Sequence, residues 1–295
     1  MTTFPGIIPA VVVPFAEDDS IYVDALRANV THLIDGGVHG LVVNGTMGEA
    51  GALSDDERGL VIDTVLGVAE GRLPVTVGVS SASTAASCRY ADQARAAGAH
   101  GVMCLPPVLY RGTPEELAAH FAAVAETSGL PVMAYNNPEA SGQDLTPKTI
   151  AELAAAVPAV VAVKECSGDA RRIAELLGST NLEILVGGDD WALEGFAAGS
   201  AGWVSGVANI APHECVELFE AVNEGRLPEA RELYQRLLPL GRLDMTPWLV
   251  QYFKGAMDAV GLVGGPTRPP RLPLGAKQQE LLREAVDALG LRVTA

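Results

Sequence analysis

The sequence predicts a closed (β/α)8 TIM barrel with a C-terminal helical extension, and three observations lead there. Short Val- and Ile-rich runs recur eight times, capped helical patterns separate them, and each interval is long enough for a helical crossover. The runs lie at residues 7–14, 40–44, 74–78, 101–105, 131–136, 160–165, 183–186 and 202–204. Each is almost continuously apolar, as a strand covered on both faces must be. Parallel neighbours need a long crossover, and intervals of ~20–35 residues fit a strand, a turn, a helix and a return loop. Eight such units imply closure, because an open sheet of eight leaves two edges to cover. A doubly wound open sheet is the competing arrangement, and only strand order separates the two.

The helical patterns carry their own punctuation. Ser54 and Glu57 form a capping box ahead of one apolar stripe. Another begins at Thr113-Pro114 and stops at Gly129. Beyond residue 224 the strand pattern ends, and residues 226–240, 246–261 and 275–290 read as three further helices, with a Pro-rich stretch at 265–273. The expected division is therefore a barrel with the active site at 1–224 and a helical extension at 225–295.

Composition narrows the partners. The 295 residues are 48% hydrophobic, which excludes intrinsic disorder. Twenty Lys and Arg against 36 Asp and Glu leave a formal charge of −16. Such a chain is repelled by nucleic-acid phosphates and by anionic membrane surfaces, so neither is expected as a partner. No run reaches the ~20 apolar residues of a membrane helix, and the N-terminus lacks the basic start of a secretory signal. The four cysteines are far apart, which suits neither a zinc ribbon nor a disulfide scaffold. A reducing cytoplasm is the expected location.

In such barrels chemistry sits where strands end and βα loops begin. Of Lys148, Lys164, Lys254 and Lys277, three lie where a solvated ammonium is ordinary, and Lys164 does not. It follows Val160-Val161-Ala162-Val163 at the end of the sixth run. There it is either a nucleophile or one half of a structural ion pair with Glu165 or Asp189. Burial at an apolar strand end lowers an amine pKa towards ~7–8, and the neutral amine attacks a carbonyl to form an imine. Gly45-Thr46-Met47-Gly48-Glu49 follows the second run and reads as a carboxylate cradle or as an ordinary turn. Tyr135 ends the fifth run, placed to relay protons or to fill the barrel mouth. Asp189-Asp190 lacks nearby His ligands, and no metal or other cofactor is expected. Cys166 shares the face of Lys164 and reads first as small buried filler and second as a residue that touches the ligand.

Five motifs together resemble the dihydrodipicolinate synthase/N-acetylneuraminate lyase superfamily of Schiff-base aldolases. They are Gly45-Thr46-Met47-Gly48-Glu49, Tyr135-Asn136-Asn137-Pro138, Val163-Lys164-Glu165, Gly188-Asp189-Asp190 and Val207-Ala208-Asn209. The resemblance implies that Lys164 forms an imine with C2 of a 2-keto acid. It implies that Tyr135 shuttles protons there and that Thr46 orients its hydroxyl. Backbone N–H groups of Thr46 and Met47 would bind the substrate carboxylate beside Gly45, with Gly188 and Val204 lining the imine pocket. It also implies a homotetramer or homodimer in which the C-terminal helices pack barrels together.

Three departures bear on the substrate. Met47 replaces a hydroxyl residue of the family motif. Leu109 stands where the synthases carry a Tyr that reaches a neighbouring subunit's site, with Tyr110 one residue on as a substitute. Ala140 stands where the synthases carry an Arg for the second substrate's carboxylate. A bidentate carboxylate clamp is lost with that Arg. The Tyr135-Asn136-Asn137-Pro138 form and the C-terminal segment look more like catabolic branches. Those branches dehydrate 2-keto-3-deoxy sugar acids or deaminate 1-pyrroline-4-hydroxy-2-carboxylate. A 4-hydroxy-tetrahydrodipicolinate synthase and a non-catalytic keto-acid-binding barrel are the two alternatives.

Overall fold

The computed structural model describes residues 3–291 apart from residue 5. Its eight strands are β1 (Gly6–Pro9), β2 (Leu41–Val43), β3 (Val75–Gly78), β4 (Gly101–Cys104), β5 (Val132–Asn136), β6 (Val160–Glu165), β7 (Glu183–Val186) and β8 (Gly202–Ser205). From β2 to β8 each pairs in parallel with the next, and β8 pairs with β1. A parallel bridge between Ala10 and Val42 closes the last seam, where Val11 N–H donates to the Val42 carbonyl at 2.8 Å. The order is that of a (β/α)8 barrel, and the open sheet is excluded.

The first run is the one most shortened by folding: β1 ends at Pro9, while Val12 and Val13 remain buried beyond the ladder. A side chain takes over there, since Val12 N–H donates to Asn209 Oδ1 at 3.1 Å. Apolar character marks burial, and it does not say whether backbone or side chain satisfies the amide.

Helix ends follow their local chemistry. Ser54 and Glu57 form the full capping box of helix Asp55–Ala69, and Thr113 with Glu116 does the same for Pro114–Ser128. Gly129 ends the latter in left-handed backbone at φ 62°, where a side chain would be strained.

Three helices follow the barrel: Leu227–Asp244, Leu249–Ala259 and Ala276–Leu289. The first outruns its predicted end at residue 240. It continues through Pro239 to Asp244 even though proline removes one intrahelical hydrogen bond. Packing carries it: Leu237, Leu240 and Leu243 are buried, and Tyr234 Oη donates to the Asp189 carbonyl at 3.2 Å. Gly241 permits the approach, because a Cβ there would lie 2.8 Å from the same carbonyl oxygen. The terminal residues of the two proposed segments, 1, 2 and 292–295, lie outside the described residues.

Lys254 corrects the sequence expectation of a solvated ammonium. Its side chain is 2% exposed and stands 2.7 Å from Glu49 Oε1. Glu49, fully buried after β2, also receives Arg268 N–H at 3.1 Å and Arg271 Nη1 at 3.3 Å. A single carboxylate thus ties the Pro-rich return segment to the barrel mouth. Among the described residues, no helix is long and apolar enough to cross a membrane.

Candidate active site

The C-terminal ends of the strands surround a cavity of about 220 Å3 lined by Gly45, Thr46, Met47, Tyr135, Lys164 and Val204 among others. At ~30 Å3 per water, that is space for a small metabolite rather than an extended chain. Most of the residues expected at the site therefore meet at one place.

Lys164 and Tyr135 are register partners on β6 and β5, so their side chains leave the sheet on the same face. Lys164 Nζ lies 4.2 Å from the Tyr135 ring centroid, and the lysine is 7% exposed. Neither structural ion pair exists. Glu165 accepts Asn136 Nδ2 at 3.0 Å and Ser167 N–H at 2.5 Å. Asp189 accepts Trp203 Nε1 at 2.9 Å, Gly206 N–H at 3.1 Å and Val207 N–H at 2.9 Å. These acids organise loops and leave the amine facing the cavity.

The charge of Lys164 differs from expectation. Burial pushes its pKa down and is the largest single influence, but Tyr135, Cys166 and Asp244 push it up, and the net direction is up. The Tyr135 phenol and the Cys166 thiol are themselves pushed up to about 12, chiefly by burial. Both are neutral at pH 7, so the anion beside the ammonium is the Asp244 carboxylate. Strand-end burial by itself implied a neutral amine; the Tyr135, Cys166 and Asp244 side chains around it together oppose that.

The turn after β2 has the properties of an anion cradle. Among the described residues, no protein acceptor takes the backbone N–H of Thr46 or Met47. Asn44 at φ 55° and Glu49 at φ 52° hold left-handed backbone at its two ends, a local strain that side chains rarely accept without compensation. Gly48 lets the turn pack closely, since a Cβ there would meet the Val11 carbonyl at 2.9 Å.

Several expected details need correction. Thr46 lines the cavity but makes no hydrogen bond to Tyr135; Asn137 Nδ2 donates to the phenol oxygen instead, at 3.0 Å. Gly187, not Gly188, faces the cavity. A Cβ on Gly187 would collide with Cys166 Sγ at 2.1 Å and Lys164 Cγ at 2.9 Å, whereas one on Gly188 would meet Trp191. Tyr110, the substitute expected in a neighbouring subunit's site, is 51% exposed, and its hydroxyl donates to Glu116 at 2.7 Å. Leu109 beside it is 95% exposed. Cys166 is a wall residue rather than filler, its sulfur 4.0 Å from the Tyr135 oxygen.

The sequence reading missed Asp244 and Thr246 altogether. Both line the cavity from the end of the first C-terminal helix and the turn after it. The available signal was the Gly241-Arg242-Leu243-Asp244 continuation beyond Pro239, which an early helix stop conceals.

Comparison with known proteins points to one family. The model of the "Dihydrodipicolinate synthetase family" matches residues 3–289. A 4-hydroxy-tetrahydrodipicolinate synthase of Methanopyrus kandleri is 37% identical over 289 residues, covering 97% of this chain and 96% of the relative. The enzyme of the same name from Methanothrix thermoacetophila is 36% identical over 292 residues, covering 97% of each. The crystal structure of dihydrodipicolinate synthase from Thermotoga maritima superposes with a TM-score of 0.94 at 30% identity, covering 99% of this chain and 100% of that one. With the expected motifs at the mouth of the expected barrel, and similarity running nearly end to end, this chain is a lyase that belongs to the dihydrodipicolinate synthetase family.

Proposed function

We propose that the chain holds a small 2-keto acid as an imine between the C2 carbonyl and Lys164. The observation that carries this reading is a buried lysine with no carboxylate in ion-pairing contact, facing a small cavity that also presents two unspent backbone N–H groups. The substrate carboxylate lies against Thr46 and Met47. The Tyr135 hydroxyl, fixed by Asn137, moves protons as the carbinolamine loses water at C2. Gly187 and Val204 leave room for the tetrahedral centre. Because Lys164 is an ammonium at rest, its proton must leave before attack.

For the second half of the reaction we favour elimination of a group at C4, as in a dehydratase or deaminase. The cavity wall supports it: Asp244, Thr246, Asn137 and Ala140 line it with no guanidinium among them. A second substrate bearing a free carboxylate finds no bidentate partner there. The other reading, a 4-hydroxy-tetrahydrodipicolinate synthase, has the stronger support from the relatives, whose names match it.

Incubation with pyruvate and borohydride is expected to add one reduced pyruvate to Lys164 and none to Lys164→Arg. Absence of an adduct with pyruvate or any larger 2-keto acid overturns the imine. Product assays then divide the readings. Turnover of 2-keto-3-deoxy acids or 1-pyrroline-4-hydroxy-2-carboxylate supports elimination. A cyclised product from pyruvate and aspartate semialdehyde supports the synthase, and an adduct without any product supports a binding protein.

A further inference from the structure

We propose that Asp244 is a further catalytic residue of this site: the carboxylate that takes the C3 proton from a 2-keto acid held on Lys164. The inference rests on the imine reading above, and it is needed whether the enamine then expels a group at C4 or attacks a second substrate.

Geometry selects this acid over its neighbours. Asp244 lines the same cavity as Lys164 and Tyr135. Its one hydrogen bond among the described residues is long, from Asp189 N–H to Oδ2 at 3.4 Å. Asp189 and Glu165 spend their oxygens on backbone and side-chain donors, as described, and Glu139 stands exposed at the rim. Asp244 is the remaining carboxylate of the wall.

On balance its location disfavours the carboxylate. Asp244 is the last residue of helix Leu227–Asp244. A helix C-terminus carries partial negative charge and favours cations. Asp190 opposes the carboxylate as well, and only Lys164 and the Asp189 N–H favour it; burial is the largest influence, and the pKa is pushed up to about 6. An acid of that strength is ionised at pH 7 yet basic enough to accept a proton. The Tyr135 phenol, at about 12, is almost entirely protonated and makes a poor base. The groups facing Asp244 are Lys164, Tyr135 and Cys166 from the β5 and β6 ends, and Asp189 and Asp190 after β7.

In the step itself the C3–H bond breaks and the proton passes to an Asp244 oxygen. The released pair forms the C2–C3 double bond, and the C2–N π pair moves onto nitrogen, converting the iminium to a neutral enamine. Asp244 is left as a carboxylic acid that can return the proton to C3 or to a leaving group. No oxidant or co-reactant is required.

Pyruvate in D2O provides the test, because reversible enamine formation replaces its methyl protons with deuterium and NMR follows their loss. Wild-type protein is expected to exchange them. Asp244→Asn is expected to exchange at least 100-fold more slowly while borohydride still traps pyruvate on Lys164, and Asp244→Glu is expected to recover part of the rate. Exchange at the wild-type rate in a folded Asp244→Asn that traps pyruvate overturns the role of Asp244 and leaves the imine standing. A wild-type protein that traps nothing overturns the imine, and the role of Asp244 with it. Should the variant not fold, the wild-type pH profile decides: a rate rising with one ionisation near pH 6 supports the base, and a flat profile between pH 5 and 8 refutes it.

Discussion

Replacing Asp244 with Asn is expected to stabilise the fold at neutral pH and to leave it unchanged in acid. The carboxyl is pushed from 3.8 to about 6 in the folded protein. A raised folded-state pKa means that the folded state favours the protonated acid. The penalty is therefore absent below about pH 4, grows as pH rises towards 6, and is complete above that. Two units at about 1.36 kcal/mol each set a ceiling near 3 kcal/mol. Asp244 is partly exposed, and solvent screening brings the expected gain to about 1–2 kcal/mol. Asn imitates the neutral acid in shape, so little packing changes with it. Thermal melts of both proteins at pH 7.5 and pH 4.0 measure the effect, with a midpoint several degrees higher for the variant at the upper pH alone. A variant less stable at pH 7.5, or one stabilised equally at both values, would refute the reasoning that this acid is disfavoured where it stands.

Two further outcomes follow from the packing. Glu49→Gln leaves Lys254 buried beside a neutral partner and is expected to cost about 3–5 kcal/mol, whereas the double variant Glu49→Gln with Lys254→Met costs distinctly less; chemical denaturation of both measures the difference. Gly187→Ala places a methyl against Cys166 and Lys164, so it is expected to slow borohydride trapping and to lower stability by about 1–3 kcal/mol, read from adduct mass and thermal melts.

The barrel was legible because every strand is buried on both faces. Burial there demands continuous apolar runs, and a closed parallel sheet demands regular crossovers, so both constraints leave marks along the chain. Lys164 was legible for the related reason that a charge ending an apolar strand is conspicuous. Its pairing with Tyr135 was legible once the strand order was known, since neighbouring strand ends present neighbouring side chains. Lys254 was not. A lysine on an amphipathic helix looks solvated, and its partner Glu49 lies about two hundred residues earlier in the chain.

The sequence by itself determined the (β/α)8 architecture, the capped helices and a lysine and tyrosine at the barrel mouth, because local periodicity and strand-end position encode all of these. Tertiary structure alone decided which acid stands beside that lysine and which glycine gives it space. It also decided that the Tyr110 hydroxyl bonds to Glu116. The physical reason is one of range: burial patterns repeat every few residues, whereas the electrostatics of a cavity depend on side chains that meet only when distant helices dock.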